Sequence, residues 1–157
     1  PRSTLSSSSA ASDVYKRQAP TILEMAGINS PSSIQGKSFY NNLKSKTPKD
    51  WRQSMYYHYY EYPFYHHVQP HYGIRNERYK LIHFYYDIDQ WELYDLQSDP
   101  NELNNLIDND KYTEIISNLK SELYNLKKNY GNNLSLEELR FISDNDFGGL
   151  ESNKGKK

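Results

Sequence analysis

Residues 55–96 read MYYHYYEYPFYHHVQPHYGIRNERYKLIHFYYDIDQWELYDL, and they hold most of the chain's sixteen tyrosines and five histidines. Aromatic and β-branched residues in runs of five to eight, broken by turn residues, predict strands. The first spans residues 53–61, and its alternation places Met55, Tyr57 and Tyr59 on one face and Tyr56, His58 and Tyr60 on the other. Residues 62–70 form a loop, because Pro63 and Pro70 lack the N–H that a central strand needs. Residues 71–76 make a second strand and NERY a turn. Residues 79–86 make a third strand, with Leu81, His83 and Tyr85 opposed to Lys80, Ile82 and Phe84. After a turn over residues 87–90, residues 91–96 make a fourth, with Trp91, Leu93 and Asp95 opposed to Glu92, Tyr94 and Leu96. Connections this short join antiparallel neighbours.

Downstream, SDPNELNNLIDND is turn-rich. Over residues 111–130 the period changes from two to 3.6, so that Tyr112, Ile115, Ile116, Leu119, Leu123, Leu126 and Tyr130 share one stripe, with Gly131 as the stop. A helix of that length spans about 30 Å, enough to cross four strands about 4.8 Å apart. The fold class expected is therefore α+β: a small antiparallel four-stranded sheet covered by a long helix. Residues 131–157 read as a polar tail with one weakly amphipathic segment, LSLEELRFI.

Upstream, APTILEMAGI predicts a short helix opened by Pro20 and closed by Gly27. Residues 19–50 otherwise form a polar connector, in which Gly36 either adopts a positive φ or is an ordinary loop glycine. PRSTLSSSSAASDVYKRQ, residues 1–18, is serine-rich and without hydrophobic period, which predicts disorder. It resembles the translation of a sequencing-library adaptor, so biological sequence is expected to start at Ala19.

Composition narrows the function classes. A net charge of −1 with interspersed acids and lysines supplies no basic field for nucleic acid. The absence of cysteine removes disulfide and thiol chemistry within the chain. No run approaches the roughly 18 apolar residues of a membrane span.

The order APTILEMAGI, IQGKSF, HYGIRNERYKLIHFYYDIDQWELYDLQSDPNELNNL and a closing helix resembles the C-terminal part of type I, formylglycine-dependent sulfatases. The bacterial N-acetylglucosamine-6-sulfatases and N-sulphoglucosamine sulphohydrolase-like enzymes are the most similar in kind. The resemblance covers residues 19–130 and implies an alkaline-phosphatase-like parent, with residues 19–50 ending its catalytic domain and residues 51–130 forming the smaller C-terminal subdomain. It also implies a periplasmic or secreted location, sulfated glycan as substrate, and calcium and formylglycine held by the missing N-terminal catalytic domain. No catalytic residue, metal or cofactor is expected in this chain. Formylglycine arises in Cys/Ser-x-Pro-x-Arg, and Ser98-Asp99-Pro100 is followed by Asn101 and Glu102. Asp87 and Asp89 are hard-cation ligands by type, though two acids in a turn more often cap it.

What the subdomain is expected to supply is substrate recognition. Glu61, His66, His67, His71 and Arg75 lie close in sequence, flanked by aromatic rings suited to sugar faces. A family pattern in which a histidine-bearing loop runs into His-Tyr-Gly-Ile-Arg picks out His67 and His71, with Pro70 a local departure; His58, His66 and His83 are expected to be structural. Zinc at His67 and His71 would need a helix, which Pro70 opposes. Arg75 and Arg78 either bind an anion or pair with Glu77, Asp87 or Glu92. The alternative to a sulfatase subdomain is a non-catalytic carbohydrate-binding module using the same aromatic sheet. A severed subdomain would instead expose apolar residues such as Ile22, Leu23 and Phe39.

Overall fold

The computed structural model describes residues 7–49, 51–62 and 67–147. The chain falls into two compact units that meet in sequence between Arg52 and Gln53.

The first unit contains α1 (Ser7–Met25) and the single turn α2 (Tyr40–Leu43). The first helix begins at Ser7 rather than at Pro20, so residues 7–18, expected to be disordered, are helical. Pro20 lies inside it and has no N–H to offer the carbonyl of Lys16. Gly36 approaches that same carbonyl so closely that a Cβ would lie 2.0 Å from the oxygen. Close approach to the helix backbone, and not a positive φ, is why glycine stands there. The Thr21 hydroxyl ties the connector to the helix, donating to the Arg17 carbonyl (2.6 Å) and accepting from the Phe39 N–H (3.1 Å). Gly27 stops the helix as expected: its φ is 73°, and the Ile28 N–H reaches back to the Leu23 carbonyl at 2.8 Å. Ile22, Met25 and Ile28 are exposed, while Leu23 and Phe39 are half-buried.

The second unit is a meander of β1 (Met55–Tyr59), β2 (His71–Arg75), β3 (Tyr79–Phe84) and β4 (Gln90–Asp95), all antiparallel in that order, with α3 (Thr113–Asn129) and α4 (Leu136–Ile142). Two rungs carry the core face: Tyr56, Ile74, Leu81 and Leu93 lie opposite one another, as do His58, Tyr72, His83 and Trp91. Against them pack Leu119 and Leu123 of α3 and Leu139 of α4, all buried. Each such side chain contributes about 1.5–3 kcal/mol by leaving water. The helix and the alternation of faces match the sequence expectation.

Three local devices hold the meander in register. Asn76 turns β2 into β3, its side-chain oxygen accepting from the N–H groups of Arg78 (2.9 Å) and Tyr79 (2.6 Å). Arg78 grips the buried Asp95 through Nε (3.1 Å) and Nη2 (2.9 Å). This is a different partner from the three acids expected for it, because Asp95 ends β4 opposite Tyr79. The free edge of β4 is covered by the turn-rich segment: Leu93 donates to Asn105 (3.0 Å) and accepts from the Leu106 N–H (2.8 Å), which removes a strand edge from solvent.

Beyond the Gly131 stop, residues 132–147, the described part of the segment expected to be a tail, contain α4 and pack onto the sheet unit. Ser135 and Glu138 form a reciprocal capping box at the start of α4. Arg140 then fastens the helix to the β3–β4 turn through the Tyr85 carbonyl (2.8 Å) and Asp89 (3.2 Å).

Gly73, at the middle of β2, has no room for a side chain: a Cβ there would lie 2.5 Å from the Leu81 carbonyl oxygen and 2.5 Å from the Tyr57 hydroxyl. Gly73→Ala is expected to lower the stability of this unit by about 1–3 kcal/mol, measured as a shift in urea midpoint at unchanged slope. A variant as stable as the parent would place Tyr57 elsewhere.

Candidate functional site

The face of the sheet turned away from α3 carries two of the residues singled out for recognition, His71 and Arg75. The rung Tyr59, His71, Phe84 and Gln90 closes one end of it. Here the His71 ring stacks on Tyr59 (5.5 Å between centroids, 26°), meets Phe84 at 5.1 Å and takes Tyr57 edge-on at 6.0 Å. The Nδ1 of His71 lies 2.8 Å from the Gln69 carbonyl. A carbonyl only accepts, so Nδ1 carries the proton, and in the neutral ring Nε2 is the acceptor. Burial lowers the His71 pKa below its ordinary 6.5, so the neutral ring prevails at pH 7.

The hydroxyls of Tyr57 and Tyr59, on the same face, are buried without a hydrogen-bond partner among the described residues. Burial also raises both phenol pKa values, which keeps the two groups protonated and able to donate.

The other expected residues are placed less uniformly. Glu61 is half-buried, two positions past Tyr59 and therefore at the His71 end of the sheet. His67 is exposed in the loop before Pro70. Residues 63–66, with His66 among them, lie outside the described residues. Arg75 is not beside His71: it closes the opposite end of β2, paired with Met55 and Lys80. At about 3.3 Å per residue the two are separated by about 13 Å. Closeness in sequence became distance in space because a strand, not a loop, joins them.

The two acids of the β3–β4 turn are engaged by protein groups. Asp87 accepts from Gln69 at 3.2 Å, while Asp89 accepts from His83 Nε2 (2.8 Å) and Arg140 (3.2 Å). They do not form a carboxylate cage for calcium. Ser98 sits in the turn after β4, its hydroxyl 3.4 Å from the Asp95 carbonyl, with Glu102 where a formylglycine motif has arginine. Asp87, Asp89 and Ser98 therefore do not fit either group.

His58 and His83 face the helix and are structural. His83 is buried between the Tyr72 hydroxyl (2.8 Å) and Asp89, its ring stacked on Trp91 at 4.2 Å. His58 Nδ1 accepts from Asn132 Nδ2 (2.9 Å), which leaves Nε2–H to donate to the Tyr85 hydroxyl (3.0 Å). Burial, reinforced by the Lys127 ammonium, holds its pKa down at about 3.

A cavity of about 540 Å³ lies on this helix side, lined among others by Lys127, Asn132, His83 and Trp91. No motif in the sequence points to it. The signal available is Lys127 itself, which continues the Leu119–Leu123 spacing of four and so sits on the apolar stripe.

Residues 8–129 match the family model for the C-terminal region of N-sulphoglucosamine sulphohydrolase. The chain is 50% identical over 117 residues to an N-acetylglucosamine-6-O-sulfatase of Bacteroides thetaiotaomicron, covering 73% of this chain and 21% of that protein. Among solved structures it is similar to BT4656 in complex with its substrate D-glucosamine-2-N,6-O-disulfate, with a TM-score of 0.73 and 47% identity over 77% of this chain and 25% of that one. It is also similar to BT1596, a 2-O GAG sulfatase, with a TM-score of 0.62 and 26% identity over 71% and 24% of the two chains. The chain thus spans about a fifth of the curated relative and about a quarter of these structures.

Proposed function

Because the chain belongs to the N-sulphoglucosamine sulphohydrolase C-terminal family, we propose that it is the substrate-recognition end of a sulfatase that removes sulfate from a glycan sugar. In this reading the nucleophile and calcium site are supplied by a catalytic domain outside it. The observation that carries the recognition role is the His71 cluster: a tautomer-fixed imidazole flanked by Tyr59 and Phe84 at one end of the sheet.

The chemistry follows from the charge state. A neutral His71 offers a lone pair at Nε2, which suits a sugar hydroxyl better than a sulfate oxygen, since the latter is itself an acceptor. The ring faces of Tyr59 and Phe84 supply apolar surface for the C–H face of a pyranose. His67 and Glu61 lie on the loop beside this end and are assigned to the rim of the subsite. Arg75, about 13 Å away along the strand, is assigned either to a more distant anionic group of the glycan or to the contact with the catalytic domain. The calcium and formylglycine of the family would supply sulfate transfer in that catalytic domain, and no residue of this chain is given a step in it.

The likeness to BT4656 favours a sulfated glucosamine as the substrate of the whole protein. The test is release of inorganic sulfate from D-glucosamine-2-N,6-O-disulfate, measured by ion chromatography. A full-length protein carrying this region is expected to turn the sugar over, and the 157-residue chain alone to release none. Sulfate release by the chain alone would overturn the division of labour, and a full-length protein inactive on any sulfated sugar would overturn the assignment to desulfation.

A further inference from the structure

On the opposite side of the sheet from His71, Lys127 presents an unusual electrostatic situation. It is only 7% exposed, and no hydrogen bond or ion pair holds its ammonium among the described residues. Its Nζ lies 4.0 Å from the centroid of the Tyr72 ring. The stem is buried, but Nζ is not among the fully buried polar atoms, so the ammonium reaches the open space of the cavity. A cation–π contact offsets about 2 kcal/mol, and any further acceptor must come from that space. Among the described residues the one carboxylate on the cavity wall, Asp89, already has one oxygen on His83 and the other on Arg140. The last carbonyls of α3 are likewise taken, by the N–H groups of Tyr130, Gly131 and Asn132.

The same cavity holds a second unmet group of opposite demand. Asn132 spends its amide N–H donors on the Tyr56 hydroxyl (2.6 Å) and His58 Nδ1 (2.9 Å). Its side-chain oxygen is buried with no partner among the described residues. Lys127 and Asn132 line one space of about 540 Å³. The ammonium reaches it directly, the amide oxygen lies just beneath its wall, from where a small turn of the side chain would present it to a ligand, and Lys128 adds a second positive charge.

We propose that this cavity is a second, separate sugar subsite that takes an anionic sugar residue, its sulfate or carboxylate on the Lys127 ammonium and a neighbouring hydroxyl on the Asn132 side-chain oxygen. The volume accommodates a monosaccharide, and the pairing demands an anion and a donor on the same ligand. Free sulfate, which has no proton to donate at pH 7, and a neutral sugar each meet only one of the two demands. The site shares no residue with the His71 cluster and stands or falls without it.

The experiment is a titration of the isotope-labelled 157-residue chain with glucose 6-sulfate and with glucuronate, followed by NMR at constant ionic strength, with glucose as the uncharged control. Saturable shifts are expected at the amides of residues 127–135 and at the Lys127 ε-methylene for one or both anionic sugars, and the one that saturates identifies the anion. Lys127→Met, which keeps the length and the apolar packing of the stem, is expected to bind at least about tenfold more weakly. Lys111→Met, an exposed lysine outside both sites, is expected to bind as the parent does, and shifts at His71 in the same titration are read separately, which separates failure here from failure of recognition at the other face. Absence of saturation with both anionic sugars, equal binding of glucose, or undiminished affinity in Lys127→Met would each overturn the proposal. The Lys127 ε-methylene shift in the unmodified chain keeps the test decisive should Lys127→Met fail to fold.

Discussion

Acidification from pH 6.5 towards pH 3 is expected to unfold the sheet unit, and His58 supplies much of the slope. Its ordinary pKa of 6.5 falls to about 3 in the folded chain, because burial and the nearby Lys127 both oppose a second proton. The folded-state value lies below the unfolded one. The neutral imidazole therefore contributes stability that is complete above about pH 6.5 and is lost as pH falls through the folded pKa.

The structural reason is explicit. Nδ1 must accept from Asn132 while Nε2–H donates to Tyr85, and an imidazolium has no lone pair left to accept with. At about 1.4 kcal/mol for each tenfold change in proton affinity, the linkage is worth on the order of a few kcal/mol, a large fraction of what a domain of this size has to lose. His71 and His83 are shifted the same way by burial, so the diagnostic quantity is a difference. In urea unfolding between pH 7 and pH 4.5, His58→Gln is expected to show a stability–pH slope shallower by about one proton's worth, about 1.4 kcal/mol per pH unit. Parallel slopes, or a His58 ring that titrates near 6.5 by NMR, would contradict the buried network.

The sheet was legible because its alternation is unambiguous. Over residues 79–85 and 91–93 every second side chain is large and apolar or aromatic, and a one-residue slip would send all of them to the wrong face. The α3 stripe was legible for the same reason at period 3.6, and Gly27 and Gly131 as stops because only a residue without a Cβ enters φ near 73° or 74° cheaply. What escaped depends on three-dimensional neighbours. Gly36 is required by the carbonyl left over by Pro20, a relation between residues sixteen apart that no local pattern contains. The pairing of Arg78 with Asp95 follows from register, since the turn of Asn76 delivers the guanidinium to the end of β4. The docking of α4 rests on Leu139 alone among its buried residues, with Arg140 reaching the β3–β4 turn, too little apolar signal to distinguish it from a tail.

At the candidate site, the sequence shows His71 and Arg75 as near neighbours, and the strand sets them apart. His71 stands where the Pro70 break meets the first residue of β2, with aromatic residues opposite it on both neighbouring strands. Arg75 is only four residues on, but a strand carries it to the far end of the sheet. The Lys127 cavity was hidden because lysine on an apolar stripe is ordinarily a stem that lies along the surface with its charge in water, and only burial distinguishes the exception.

The proposed role of His71 in recognition makes the second large prediction. In a full-length protein carrying this region, His71→Ala removes a fixed hydrogen-bond acceptor and the ring between Tyr59 and Phe84 while leaving the helix side of the sheet untouched. A substrate hydrogen bond plus its stacking surface corresponds to about 1.4–2.7 kcal/mol of transition-state binding, or about 10–100-fold in kcat/KM. Because the contact is made away from the reacting sulfate, the loss is expected mainly in KM. Arg75→Ala, at the other end of β2, serves as the internal comparison.

The measurement to make is therefore kcat/KM for desulfation of D-glucosamine-2-N,6-O-disulfate by the full-length protein and by its His71→Ala variant, at pH 7 and with folding verified by circular dichroism. A fall of about 10–100-fold carried by KM is the predicted result. An unchanged kcat/KM in a folded variant would contradict recognition through this face of the sheet.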